Sequence, residues 1–479
     1  MIEDKVRLAN PEYFKSIRIE GVKLRDIQTK LKPNQAVLDY YFSKNKLAVV
    51  IIKKNSYNIH IEEILIDNLL DIKNNIRNSL QISKNGRLIP FDLKNGFKLN
   101  EVVFLNLRKY LENINYLFVV PHGPLNEIPI HTLPKNNGNN CIDCSLVEWN
   151  FLDYTFNYLA SLDSFQSSDN DDFLSKVLKE NFKQVYNELE NNKNLKKVRD
   201  EGIVIFSKIF ESTENDKTKE SLQISSKIKY LGIGDPDLYQ KISQKAKSLD
   251  NTNSQKLAAL RSVNLNNDNR SINIQDFYSP LKGSREEVIF AAKIFGEDNS
   301  KVWLKENATE TNIKQTDLRN YNIIHFATHA EVSGAMKGFN EPFLVLSPPK
   351  EKSLKDNGLL MMNEIMQLNL NADLVILSAC NTGSVEDEYS GSYSGLAKAF
   401  FIAGTKSVLV SNWYVEDAAT QRLIQKFIEN MIKDKGNFAE NLNITMKELS
   451  KQKSQYSHPI FWAPFVFVGT DLEVNNKLN

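Results

Sequence analysis

Apolar residues along this chain gather into short continuous runs, separated by turn-rich polar links and by stretches of helical period. Residues 36–42 (AVLDYYF), 46–53 (KLAVVIIK) and 57–65 (YNIHIEEIL) predict three strands, and the polar links between them are short enough for hairpins. A helix is expected over 66–83. Residues 116–120 (YLFVV) form an apolar run of the buried-strand type, followed by the turn-rich stretch 121–129. From 165 to 226 charges alternate with apolar residues at helical spacing between polar flanks, which predicts a solvated helical insertion. A second alternation starts at Lys227. Strands are expected at 228–233, 302–304, 323–327, 374–377, 407–411 and 465–469. Helices are expected from Ser284 to Phe295 and over 395–403, 417–433 and 438–451. Ser284 and Glu287 have the spacing of a capping box, and Gly296 is the expected helix stop. An Asn-rich connection covers 251–274. Alternating strands and helices imply a mostly parallel sheet.

The chain has 479 residues, enough for more than one unit. At 41% apolar and 25% charged residues it has ample material for a core. Its 60 basic and 59 acidic residues nearly cancel, which removes any global electrostatic case for nucleic acid or an anionic membrane. The first residues, Met1 to Arg7, hold no apolar signal core, and no apolar run reaches membrane-spanning length. Three cysteines, Cys141, Cys144 and Cys380, make no disulfide framework, so the expectation is a cytoplasmic protein with reduced thiols. No cofactor is expected.

The chemistry concentrates at two strand ends. Leu374 to Leu377 is apolar throughout, as in a strand buried on both faces, and Cys380 falls just beyond it in Ser-Ala-Cys-Asn-Thr-Gly. Open α/β sheets place their chemistry at that end of a strand. His329 falls at the carboxyl end of the strand 323–327 and precedes Cys380 by 51 residues. That is the caspase order and spacing. A thiolate nucleophile needs an imidazole nearby for proton transfer, and amide donors for the oxyanion. The amides of Cys380 and Ala330 are the natural candidates. Taken alone, Cys380 reads as an inert core thiol; its place past a strand end changes that. His325, inside the strand, reads as structural.

Seven segments in order resemble the successive motifs of the CHAT domain: PLKGSREE (280–287), HFATH (325–329), LSACNTG (377–383), GLAKAF (395–400), AGTKSV (403–408), SNWYVED (411–417) and HPIFWAPF (458–465). Residues 116–133 resemble the family's amino-terminal half. The resemblance implies an α/β, caspase-like three-layer fold with a mostly parallel central sheet. It also implies an amino-terminal pseudo-caspase half (1–160), an insertion (161–226) and a catalytic half (227–479). It carries the catalytic cysteine to Cys380 and the catalytic histidine to His329. The family's oxyanion donor falls on Ala330, where glycine is common. Its members are caspase- and separase-like cysteine proteases, and bacterial ones often serve in defence or programmed cell death. Many carry tetratricopeptide repeats ahead of the domain. This chain is not expected to have room for them, so the usual sensor module is expected to be missing or to reside in another protein, encoded nearby.

Weaker signals surround this centre. Cys141-Ile-Asp-Cys144 is a lone pair in an Asn/Gly loop, and with His122 and His131 it would make a zinc site; chance is the better reading, and no metal is expected. Glu386, Asp387 and Glu388 follow the nucleophile and suggest a pocket for a basic residue, although a solvated charge run explains them as well. Asp235, Asp237 and Trp413 are further candidates for the substrate pocket, the two aspartates otherwise serving as turn residues around Pro236. The expectation is a cysteine endopeptidase acting on a protein partner; the alternatives are a catalytically inactive CHAT scaffold for assembly or regulation and a hydrolase of small amides.

Overall fold

The computed structural model describes residues 22–43, 45–83, 85–166, 229–238, 278, 280–331, 341–349, 356–378, 395–413, 417–433 and 437–469. The amino-terminal part holds α1 (Leu24–Lys30), β1 (Gln35–Phe42), β2 (Lys46–Lys53), β3 (Ser56–Glu63), α2 (Ile66–Ser79), α3 (Leu93–Val103), β4 (Tyr116–Val120) and β5 (Thr155–Tyr158). The carboxyl-terminal part holds β6 (Tyr230–Pro236), α4 (Lys282–Phe295), β7 (Ser300–Lys305), α5 (Glu310–Gln315), β8 (Ile323–Ala327), β9 (His329–Glu331), β10 (Phe343–Val345) and β11 (Leu359–Met361). It continues with β12 (Leu374–Leu377), α6 (Gly395–Ile402), β13 (Ser407–Ser411), α7 (Asp417–Lys433), α8 (Phe438–Ser450), α9 (Pro459–Trp462) and β14 (Phe465–Gly469).

Among the described residues, eleven strands form one sheet in the order β3-β2-β1-β4-β5-β14-β13-β12-β8-β6-β7. The β1–β2, β2–β3 and β13–β14 pairs are antiparallel and the other neighbours are parallel. This is the mixed α/β architecture with a large, mostly parallel sheet that the sequence predicts. The last strand, β14, joins the two parts: it is antiparallel to β13 and meets β5 at Val468 and Tyr158. Aromatic rings close the same junction. Trp462 of α9 lies 5.3 Å from Trp149 and 4.9 Å from Phe151, in tilted or edge-on contacts. Each such pair adds roughly 1 kcal/mol beyond its buried area.

The central strands are buried as their apolar runs require. Every residue of β8, β12, β13 and β14 is buried. Helix α4 packs across β6, β7 and β8 and against α7.

The structure departs from several expectations. The helix after β3 ends at Ser79, short of residue 83. Strand β6 runs on through Asp235 to Pro236, its pairing with β7 bulged between Gly234 and Pro236. Ser284 and Glu287 form no capping box: α4 begins at Lys282, so both lie inside it and turn inward. Gly296 does end that helix, at φ 90°. β5 and the separate three-stranded sheet β11-β10-β9 were not legible in the sequence. Cys141 and Cys144 are joined by a disulfide, contrary to the expectation of reduced thiols. His122 and His131 serve elsewhere: the His122 ring accepts the Phe42 amide, and His131 Nδ1 lies 2.9 Å from the Tyr158 hydroxyl. Of the insertion expected at 161–226, residues 167–226 lie outside the described residues, as does the Asn-rich connection at 251–274.

Candidate active site

Strands β6, β8, β12 and β13 are parallel neighbours, so their carboxyl ends share one edge of the sheet. Register is tight there. Leu377 stands opposite Phe326, and the Ser378 amide donates to the Phe326 carbonyl at 3.1 Å. Cys380, Glu386, Asp387 and Glu388 lie outside the described residues.

His329 does not trail from β8 as a loop residue. It opens β9, paired opposite Val345 of β10. Thr328, fully buried, turns the chain between the two strands and donates its hydroxyl to the Val345 carbonyl. The Tyr278 ring lies 4.9 Å from the His329 ring, and its hydroxyl donates to Glu331 Oε1 at 3.2 Å. Burial, with Glu331 beside it, raises the Tyr278 pKa, so that hydroxyl stays a donor. The imidazole is half-buried on a small sheet with its own core of Leu238, Tyr278, Phe343, Val345 and Leu359. Ser347 ties that sheet to the large one: it donates to the Lys305 carbonyl at 2.6 Å and accepts the Asp237 amide at 2.7 Å. Ala330 also lies on β9, opposite Leu344, rather than on a loop, and is not among the residues at positive φ. An extended alanine there is unstrained.

The other candidates are placed as follows. Asp235 is buried at the end of β6 at φ 44°, a conformation costly for a non-glycine residue. Its carboxylate binds Lys305 at 2.5 Å and Arg285 at 3.1 Å, and its amide donates to Ser284 Oγ. Trp413, just past β13, is 2% exposed. Its indole N–H donates to the Ile460 carbonyl, and Arg77 lies over its ring.

One polar group escaped the sequence reading. His325 Nε2 lies 2.7 Å from Glu287 Oε1 and 2.9 Å from Ser378 Oγ, while Nδ1 lies 2.9 Å from the Tyr230 hydroxyl. A carboxylate only accepts, so Nε2 carries the hydrogen, and in the neutral ring the Tyr230 hydroxyl donates to Nδ1. The signal was a glutamate on the inward side of α4, hidden by its capping-box spacing to Ser284.

Comparison with known proteins adds the following. The family model described as CHAT domain matches residues 94–470. Tetratricopeptide repeat protein 28 of Mus musculus is 23% identical over 229 residues, and its Homo sapiens counterpart 24%. Each match covers 42% of this chain and 9% of the relative's length, so the chain corresponds to a small part of those proteins. Among solved structures, the Arg-specific cysteine proteinase gingipain R overlaps 84% of this chain and 74% of its own at 11% identity and TM-score 0.33. The Saccharomyces cerevisiae separase–securin complex overlaps 93% of this chain and 31% of its own at 11% identity and TM-score 0.36.

Proposed function

The chain belongs to the CHAT domain family and has a caspase-like α/β fold, and from that premise we propose that it is a cysteine endopeptidase using Cys380 and His329. One observation carries the reading. Leu377 pairs with Phe326 across β12 and β8, an offset of 377 − 326 = 51, and Cys380 and His329 differ by the same 380 − 329 = 51. Cys380 and His329 therefore each come three positions after a paired residue, Leu377 and Phe326, of adjacent parallel strands, as a nucleophile and its proton-transfer partner require.

In the proposed reaction the Cys380 thiolate attacks the scissile carbonyl and the carbonyl π pair moves to oxygen. The backbone amides of Cys380 and Ala330 hold that oxyanion. His329 protonates the departing amine as the C–N bond breaks, leaving an acyl-enzyme. Water, losing its proton to His329, releases the acid and the thiol. Because Cys141 and Cys144 are bonded to each other, no other cysteine of this chain remains to pair with Cys380.

The substrate in this reading is a protein, and the setting a regulated protease of bacterial defence or cell death in the cytoplasm. Among the described residues no helix is long and apolar enough to cross a membrane. Nucleic acid and membranes are not proposed as ligands. A constantly active cytoplasmic protease would harm its own cell, so the isolated chain is latent and an activator, a sensor protein encoded nearby, favours the aligned site. With Asp235 committed to Lys305 and Arg285, and Trp413 buried under Arg77, the proposed pocket for a basic residue rests on Glu386, Asp387 and Glu388, with Asp237 beside it. The test is cleavage of protein and small-amide substrates by the chain with its genomic neighbours. Loss in both Cys380→Ala and His329→Ala supports the assignment. Assembly with those neighbours without any cleavage supports a scaffold instead.

A further inference from the structure

Four buried side chains meet beneath the strand ends: Tyr230 from β6, Glu287 from α4, His325 from β8 and Ser378 at the end of β12. Their exposures are 0%, 1%, 0% and 8%. Polar groups are costly to bury unless each finds a partner, and here they partner one another. Glycines make the approach possible. A Cβ on Gly232 would lie 2.8 Å from the Tyr230 hydroxyl and 2.9 Å from Val288 Cβ, and one on Gly234 would lie 2.9 Å from the Ser284 carbonyl. Without those side chains α4 sits close to the sheet, and Glu287 reaches the ring of His325.

The group is not a second hydrolytic centre. In a serine triad the carboxylate and the hydroxyl bind opposite ring nitrogens; here both bind Nε2. The arrangement is a clamp. Glu287 and Tyr230 fix the plane and tautomer of His325, and the single Nε2 hydrogen is shared between the Glu287 carboxylate at 2.7 Å and the Ser378 hydroxyl at 2.9 Å. Ser378 is also held through its amide to Phe326 at 3.1 Å, and its hydroxyl lies 3.4 Å from the same carbonyl. Ser378 stands two residues before Cys380.

We propose that Glu287, Tyr230 and His325 are positioning residues which, through Ser378, hold the peptide leading to Cys380 in register with the strand leading to His329. The inference rests on the cysteine-peptidase reading and deepens it. A misplacement of about 1 Å in a reacting group costs on the order of 100-fold in rate, so a clamp this near the nucleophile acts on kcat rather than on binding.

The experiment uses the full chain with its genomic neighbours as wild type, Ser378→Ala and Tyr230→Phe, reading kcat and KM on a cleaved substrate. In parallel, iodoacetamide alkylation of Cys380 is followed by peptide mass spectrometry. Each variant is expected to lose roughly 10-fold in kcat, the worth of about one hydrogen bond, with KM within about twofold. Cys380 alkylation slows in the same order. Tyr230→Phe removes a single hydroxyl and carries the test if Ser378→Ala does not fold. Folded variants with wild-type kcat and alkylation overturn the clamp while leaving the peptidase reading intact. A wild type that turns over nothing, yet alkylates faster at Cys380 than the variants, overturns the peptidase reading and keeps the clamp; no turnover with no difference in alkylation overturns both.

Discussion

The guanidinium of Arg77 lies over the ring of Trp413, 5.9 Å from its centre, and donates to the Asn412 carbonyl at 2.8 Å. Arg77 belongs to α2 and Trp413 follows β13, so one side chain spans the two parts of the chain. Glu127 Oε2 lies 3.6 Å from its Nε, and Lys73 binds the same carboxylate. Arg77→Ala is expected to cost about 2 kcal/mol, because it leaves the Asn412 carbonyl and part of Glu127 unpartnered. Arg77→Lys recovers less than half of that, since an ammonium cannot both stack on Trp413 and reach Asn412. Urea midpoints of the three proteins measure both effects.

Glu310 supplies a pH-dependent tie. Its Oε1 accepts the amides of Asn357, Gly358 and Leu359 at the start of β11, and Oε2 binds Lys314 at 2.6 Å. Burial nevertheless raises its pKa from 4.5 to about 7. The folded protein therefore keeps this proton up to about 7, while the unfolded chain releases it near 4.5. The group's contribution to stability is largest below that window, falls as pH rises through it, and is flat above. Thermal unfolding from pH 4.5 to 7 checks the sign: the Tm of wild type minus that of Glu310→Gln is expected to shrink across the window. A constant difference counts against it.

The Cys141–Cys144 disulfide closes a very short loop, with a sequence separation of 3. By loop length alone it stabilises by no more than about 2 kcal/mol. Reduction, or a Cys141→Ser/Cys144→Ser double variant, is expected to lower the urea midpoint by no more than that and to leave catalysis unchanged. A larger loss would assign the bond a structural role beyond its loop.

Replacing Glu386, Asp387 and Glu388 together by their amides is expected to lower kcat/KM for cleavage after Arg or Lys roughly 10-fold more than after apolar residues, as expected for a lost charge-assisted contact. Uniform loss over all substrates would mark these residues as supporting their loop. An enzyme that never cuts after a basic residue would remove the basic pocket altogether.

What the sequence disclosed follows from how local each feature is. Strands β4, β12 and β14 are almost wholly apolar runs, β8 is apolar except for His325 and β13 except for its terminal Ser407 and Ser411, and each lies where its run predicts. The three-residue strands β9 to β11 are too short to show a period, and they exist through pairing across gaps in sequence. That is why the sequence placed His329 only at the carboxyl end of the strand 323–327 and not in a strand of its own. Ser284 and Glu287 match a local helix-start pattern, but tertiary partners win: Ser284 Oγ accepts the Asp235 amide, and Glu287 binds His325. Asp235 looked like a turn residue beside Pro236, whereas Lys305 and Arg285, 70 and 50 residues away, hold it at the end of a strand.

The central claim is that Cys380 is a nucleophile served by His329. A peptide carrying an acyl-reactive electrophile, added to the chain with its genomic neighbours and followed by peptide mass spectrometry, tests it most directly. The account predicts stoichiometric modification at Cys380, none in Cys380→Ala, and at least a 100-fold slower reaction in His329→Ala, within the usual range for loss of a proton-transfer partner. Labelling that is equally fast without His329, or that never reaches Cys380 while the partners are bound, would contradict it.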